Sequence, residues 1–286
     1  MESNRKPIAK GRTWAGPGWL LLRADALEAA HSVPPRRFDV IYADPPFPGE
    51  RPHRPGVALD PRAWKNIDAY LDWLRARLAA MRDLLTPSGS LFVHLDWRAV
   101  HEVKILLDSL FGREAFTNEI IWSYRTGGVG ERWLPRKHDT ILFYARGRGY
   151  KLTPLWERVA LAHGYGFKNA AVRADERGYY RISRMRDVWE IPALRANMRE
   201  RVPYPRQKPL ELARRVIGMA TDPGDMVGDF FCGSGTTLVA ALEMGRRAVG
   251  ADISQLALEI SFSRLKAVGD RDREPEGDIS VAPMRR

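Results

Sequence analysis

The chain has 286 residues, a net charge of +11 and an apolar fraction of 44%, enough for one large domain or a domain with an insert. Its single cysteine excludes an internal disulfide and fits a reducing, cytoplasmic compartment, and its positive charge favours a polyanion as partner. No apolar run reaches the length of a membrane span and no signal-peptide pattern opens the chain, so no membrane partner is expected.

Residues 1–13 are polar and basic and read as a flexible tail. Residues 18–22 form a short strand leading to Asp25-Ala26-Leu27, and the apolar run Phe38 to Ala43 is a second strand ending at Asp44. Residues 48–62, rich in Pro, Gly and Arg, read as a flexible loop; ordering over a bound partner and a passive surface role are equally open. Ile67, Tyr70, Leu71, Leu74, Leu78, Met81 and Leu85 share one helical face, so a helix is expected from Ile67 to Leu85, ended by Pro87-Ser88-Gly89. Ser90 to His94 is the next strand, and residues 99–110 are a second amphipathic helix. Stretches 119–124 and 138–144 are expected as antiparallel strands at the sheet edge, joined by a link containing Gly127-Gly128. A helix begins at Pro209, where proline's fixed φ and missing donor cost nothing. Thr236 to Met244 is another helix, Ala248 to Ala251 a strand ending at Asp252, and residues from Gly269 onward a disordered tail.

Strands alternating with helices imply a mainly parallel sheet covered on both faces, with ligands at the carboxyl ends of its strands. Asp44 and the loop 231–235 each follow a strand, so the two converge on one crevice although they lie far apart in the chain.

The chemistry of each corner follows from its residues. An exocyclic base amine is a poor nucleophile because its lone pair is delocalised into the ring. A carboxylate and a rigidly held carbonyl that accept its N–H bonds draw the lone pair out of conjugation. In Asp44-Pro45-Pro46-Phe47 the prolines fix φ and remove donors, so the Pro45 carbonyl is aimed beside Asp44, and Phe47 offers a face for an extruded base. The second corner runs from Val227 to Thr237: strand, glycine turn and helix, then a second strand and Asp252, an arrangement suited to a nucleoside cofactor. Lysine is absent after Gly235, which excludes the phosphate loop of an NTPase, and Leu238 stands where a dinucleotide fold has its third glycine.

Taken together, Asp44 to Phe47 and the Phe231-Cys232-Gly233-Ser234-Gly235 loop resemble the β group of amino-DNA methyltransferases, whose catalytic motif precedes the cofactor motif. Residues 81–98, 118–144, Asp187 to Pro192 and Pro203 to Glu211 are similar to that family as well. Two departures stand out: Phe230 occupies a position where the family usually has Pro, and Arg206 one where it usually has Thr. The resemblance implies a circularly permuted, Rossmann-like α/β fold of the S-adenosylmethionine-dependent methyltransferases. It implies a catalytic half over 14–145, a target-recognition insert over 146–206, a cofactor half over 207–268, and flexible tails at 1–13 and 269–286.

The activity implied is methyl transfer from S-adenosylmethionine to a flipped base in double-stranded DNA. Asp44, Pro45, Pro46 and Phe47 are the catalytic residues so implied. Asp25, Ala26, Lys208, Asp229, Phe231, Cys232, Gly233, Ser234, Gly235, Thr236 and Asp252 bind the cofactor, and no metal is required. Asp44 favours adenine N6, since enzymes acting on cytosine N4 usually carry Ser there; N4 transfer is the alternative, with an RNA or protein methyltransferase or an inactive DNA-binding homologue behind it. A second copy of the chain and a cognate restriction endonuclease are further partners compatible with the family. Cytosine C5 chemistry is excluded because Cys232 follows Phe231 inside the loop rather than a proline, and deaminase chemistry because no P-C-x-x-C zinc element is present.

Charge points to the DNA-facing region. Between Arg146 and Lys208 there are 15 Lys and Arg against 6 Asp and Glu, interleaved with Trp156, Tyr165, Phe167, Tyr179, Tyr180 and Trp189. His94 and Asp96 fall at a strand end near the crevice, where supporting and catalytic roles are both open, and His138-Asp139 reads as structural.

Overall fold

The computed structural model describes residues 13–49, 64–125, 131–164 and 171–269. The expected tails, most of the 48–62 loop, the Gly127-Gly128 link, Tyr165 and Phe167 lie outside the described residues. Among the described residues one nine-stranded sheet dominates, in the order β1 (Thr13–Gly16), β2 (Trp19–Arg23), β12 (Arg247–Asp252), β11 (Met226–Asp229), β3 (Phe38–Ala43), β4 (Leu85–Leu95), β6 (His138–Ala145), β5 (Phe116–Ser123), β10 (Val188–Glu190). β1, β6 and their partners pair antiparallel; every other pairing is parallel.

Helices cover both faces because the central strands are apolar on both. One face carries α1 (Ala26–Ser32), α2 (Ile67–Leu84) and α3 (Val100–Phe111), which bury Tyr70, Leu74, Leu78 and Met81 against Ile41, Ala43, Leu91 and Val93. The other carries α4 (Leu210–Ala220), α5 (Thr236–Glu243) and α6 (Gln255–Gly269), packed on Leu21, Val227 and Ala248 and, through Val216, on Val40 and Tyr42. None of the described helices is long and apolar enough to cross a membrane.

The expected elements are present with four differences. α2 stops at Leu84, and β4 begins at once at Leu85, paired to Phe38; a register shift before Val40↔Ser90 accommodates Thr86 to Gly89, so the expected turn is an irregularity inside the strand. Gly89 is needed there, since a Cβ would lie 2.7 Å from the Phe38 carbonyl oxygen. β5 and β6 are antiparallel but not the edge, because β10 adds parallel to β5 from within the 146–206 segment. Thr13 opens β1, the antiparallel edge strand beside β2. Finally, residues 156–184 hold a separate three-stranded antiparallel sheet of β7 (Trp156–Ala160), β9 (Gly178–Arg184) and β8 (Arg173–Asp175), whose alternating exposed and half-buried pattern belongs to a one-sided sheet.

Two adjacent strands place the two motifs. β3 and β11 pair directly, Val40 with Val227 and Ile41 with Gly228, so Asp44 and Asp229 leave the same edge of the sheet side by side. The chain turns away from β11 toward β12 and from β3 toward β4, so the crevice opens where the direction of winding reverses. Phe230 sits under this point, fully buried and edge-on to Phe38 at 5.7 Å. Truncation there removes both rings' contact. Phe230→Ala is expected to lower the unfolding free energy by about 3–5 kcal/mol, measured by urea denaturation.

Candidate active site

A cavity at the carboxyl edge is walled by both corners. Asp25, Ala26, Asp44, Pro45, Pro46, Lys208, Asp229, Phe231, Cys232, Gly233, Ser234, Thr236 and Asp252 line it. Two expected residues do not. Gly235 caps α5 with φ +76°, and a Cβ there would lie 2.7 Å from Ser261 Oγ, so it shapes the loop from behind. Phe47 is buried beside the cavity, its ring stacked on His94 at 6.3 Å and 23°.

The glycine loop is held from outside so that its inner surface stays in place. Asp252 Oδ2 accepts the Gly233 N–H at 3.0 Å and Oδ1 accepts the Ser254 N–H at 2.8 Å. From α6, Ser261 Oγ donates to the Gly233 carbonyl at 2.8 Å, and Arg264 donates to the Ser234 carbonyl at 2.6 Å. Burial pushes the Asp252 carboxyl up, against the lowering effect of the N–H groups of Ser254 and Gly233. Asp25 caps α1 by accepting the Leu27 N–H at 2.9 Å and takes Arg77 of α2 at 2.8 Å. The Arg77 guanidinium lies 4.1 Å over Trp73, which in turn meets Phe231 at 5.9 Å, so α2 braces this wall.

A strap of residues 200–208 closes the cavity from above. Gln207 is buried and ties the strap to itself, accepting the Val202 N–H at 2.7 Å and donating to the Glu200 carbonyl at 2.6 Å. Tyr204 presses on Gly233, where an added Cβ would lie 3.0 Å from the ring. Arg206, at the position where the family usually has Thr, takes the left-handed conformation at φ +60°. Two residues on, Lys208 Nζ meets Asp44 Oδ2 at 2.5 Å and sits 5.6 Å over the Phe47 ring. Sequence reasoning missed this pairing, because the partners are 164 residues apart.

Behind Phe47 a buried polar relay spans four strands. Tyr42 Oη lies 2.6 Å from His94 Nδ1, His94 Nε2 lies 3.0 Å from Asp139 Oδ2, and Tyr124 Oη donates to Asp139 Oδ1 at 3.0 Å. Burial raises the Asp139 carboxyl, but the His94 hydrogen bond and charge outweigh it and hold the group below the usual carboxylate range. A charged Asp139 accepts only, which assigns the proton to Nε2 and makes Nδ1 the acceptor of the Tyr42 hydroxyl. His94 and Asp139 therefore fix the Phe47 platform from below.

Asp229 differs from its neighbours. It is fully enclosed, and burial pushes its carboxyl up to about 7 despite hydrogen bonds from Thr237 and the Phe231 N–H, with Asp44 and Asp252 adding to the rise. The unfolded carboxyl titrates near 3.8, so at intermediate pH the native state holds a proton that the unfolded chain has lost. The stability this supplies is complete below the unfolded value and disappears as pH rises through about 7. Its size is about 4 kcal/mol. Asp229→Asn is expected to flatten that fall, gaining on the wild type between pH 5 and pH 8 in urea unfolding; parallel pH profiles for the two proteins would contradict it.

Comparison with known proteins agrees with this geometry. Residues 38–263 match the N6/N4 methyltransferase family, described as DNA methylase. The chain is 27% identical over 263 residues to the DNA adenine methyltransferase YhdJ of Escherichia coli strain K12, covering 86% of this chain and 82% of that one. The PvuII DNA methyltransferase, cytosine-N4-specific, superposes with a TM-score of 0.63 at 16% identity over 94% of both chains. TTHA0409 of Thermus thermophilus, a DNA modification methylase solved with S-adenosyl-L-methionine, does so at 0.58 and 22% identity, over 87% of this chain and 93% of that one. These likenesses support an α/β fold of the methyltransferase type. The chain belongs to the N6/N4 family of DNA methylases.

Proposed function

We propose that this DNA methyltransferase transfers the methyl group of S-adenosylmethionine to the exocyclic N6 of an adenine flipped out of double-stranded DNA. One observation carries the reading: Asp44-Pro45-Pro46 and the Gly233–Thr236 loop wall the same cavity. Asp44, rather than Ser, at the head of the catalytic motif favours adenine, as does the name of the Escherichia coli relative. The PvuII likeness keeps cytosine N4 as the second reading. Mass spectrometry of digested product DNA separates the two.

The cavity suits the proposed cofactor. Asp252 has both oxygens anchored by backbone N–H groups and can accept ribose hydroxyls, Asp25 and Ala26 lie on the side assigned to adenine, and Phe231 adds an apolar wall. The start of α5 presents N–H groups suited to a carboxylate. The cofactor supplies an electrophilic methyl on a sulfonium. The chain supplies placement: Lys208 holds Asp44 through Oδ2, leaving Oδ1 and the Pro45 carbonyl to accept the amine hydrogens and localise the lone pair on nitrogen. Phe47, backed by His94, is the stacking surface for the base. No covalent intermediate on the protein is needed, so positioning and electrostatics provide most of the rate. The insert 146–206, with its small basic sheet, is assigned to target recognition.

Asp44→Ala should lower methyl transfer from tritiated cofactor to DNA by about 10²-fold or more while leaving cofactor affinity nearly unchanged. Activity close to wild type would remove the proposal's foundation. Asp252→Ala should weaken cofactor binding by about 10-fold to 100-fold in calorimetry, since hydrogen bonds to a charged group are lost, with DNA affinity retained.

A further inference from the structure

Beyond the cavity, the same edge of the sheet carries an aromatic and arginine cluster with no role in binding the base or the cofactor. β4 ends at Leu95, and the next residues bring Trp97 and Arg98 to the surface; β6 begins at His138, so residues 131–137 enter from the same edge. The Arg136 guanidinium lies 3.6 Å over the Trp97 ring and 5.7 Å from the Trp133 ring, with Arg98 5.4 Å from Trp97 on its own side. This stack fixes the 133–136 segment against the end of β4. Register places it close to the catalytic corner: Ala43 pairs with Val93, so Asp44 adjoins His94, three residues before Trp97.

What the cluster exposes is unusual for a surface facing only water. Leu134 is 88% exposed, Trp133 58% and Trp97 47%, all beside one another. The surrounding charge is positive, with Arg98, Arg132, Arg136 and Lys137 against Asp96 and Glu131, and Asp96 is already taken by Arg98. An apolar tip ringed by cations next to a base-binding corner fits a nucleic-acid duplex. Cations meet phosphates, and an apolar side chain enters the stack where a base has left it.

We propose that Leu134, carried on the Trp133–Arg136–Trp97 stack, is the wedge that fills the gap left in DNA when the target base is extruded toward Asp44. This rests on the reading of the site as a base-flipping methyltransferase. The wedge stabilises the opened duplex and has no part in the transfer itself. Its removal therefore matters only when the base must first be pulled from a pair.

The test uses the full chain and a duplex oligonucleotide carrying its site, identified by modification-sensitive sequencing of DNA from expressing cells. Leu134→Ala and Trp133→Ala are expected to lower kcat/KM on the paired duplex by about 10-fold or more, from the cost of unstacking. On the same duplex with the target base opposite an abasic position the deficit should shrink to about 3-fold or less. Thermal melting and cofactor affinity should match wild type, since both side chains point to solvent. Equal losses on both duplexes, or full activity on both, would overturn the wedge while leaving the enzyme's assignment intact. Failure of the wild-type chain to methylate any DNA would remove the assignment and the wedge together.

Discussion

The site depends on one backbone constraint, the parallel pairing of β3 with β11 in a register that sets Val40 opposite Val227. A slip by one residue would turn Tyr42 and Ala43 to the opposite faces and would carry Asp44 away from the mouth of the cavity. Several features hold the register. Gly228 permits close approach, because a Cβ there would lie 2.8 Å from the Phe38 ring, and Phe38 is locked edge-on to Phe230 beneath. From the far end, Asp39 accepts the Met226 N–H at 3.0 Å, tying the start of one strand to the start of the other. The phenylalanine that departs from the family's usual proline is thus part of the clamp that aligns the two corners.

Bringing the corners together also crowds acids. Asp44, Asp229 and Asp252 raise one another's cost of ionisation, and each is handled differently. Lys208 neutralises Asp44 directly, two backbone N–H groups stabilise Asp252, and Asp229 takes up a proton most readily. Asp25, less enclosed, has Arg77. The strap from Glu200 to Lys208 joins these solutions, since Tyr204 packs on the glycine loop and Lys208 reaches the catalytic carboxylate. A change in the strap would therefore be felt at both corners.

Much of this was legible in the sequence. Apolar periodicity locates α2, α3 and α4 to within a residue or two, because each buries one continuous stripe. The motifs name the cavity's walls because glycine, proline and acid positions there answer to local backbone geometry. What escaped was set by distant partners. The β1 hairpin and the docking of β10 beside β5 depend on pairing across the fold, and short strands such as Val188–Glu190 carry no period of their own. The Lys208–Asp44 pair and the Tyr42–His94–Asp139 relay are contacts between elements remote in sequence, so no spacing could announce them. His94 was marked only by its place at a strand end; its burial and its two partners define its role.

The distribution of charge separates two tasks that would otherwise conflict. A polyanion is attracted by a net charge of +11, concentrated between Arg146 and Lys208, yet a sulfonium cofactor is best met by acids. The fold keeps the acids on strand ends, inside a cavity roofed by the strap, and leaves the arginines on the small sheet and on the segments beyond β4 and β6. Fields from the enclosed carboxylates act at short range in a poorly polarisable interior, whereas the exposed cations act through salt water over roughly 10 Å. A phosphate backbone at the surface thus experiences the cations first, and only a neutral base, freed from its strand, reaches the acids. The proposed chemistry requires that order: a charged substrate group would be repelled from the pocket in which an uncharged amine can be held between Asp44 and the proline carbonyl.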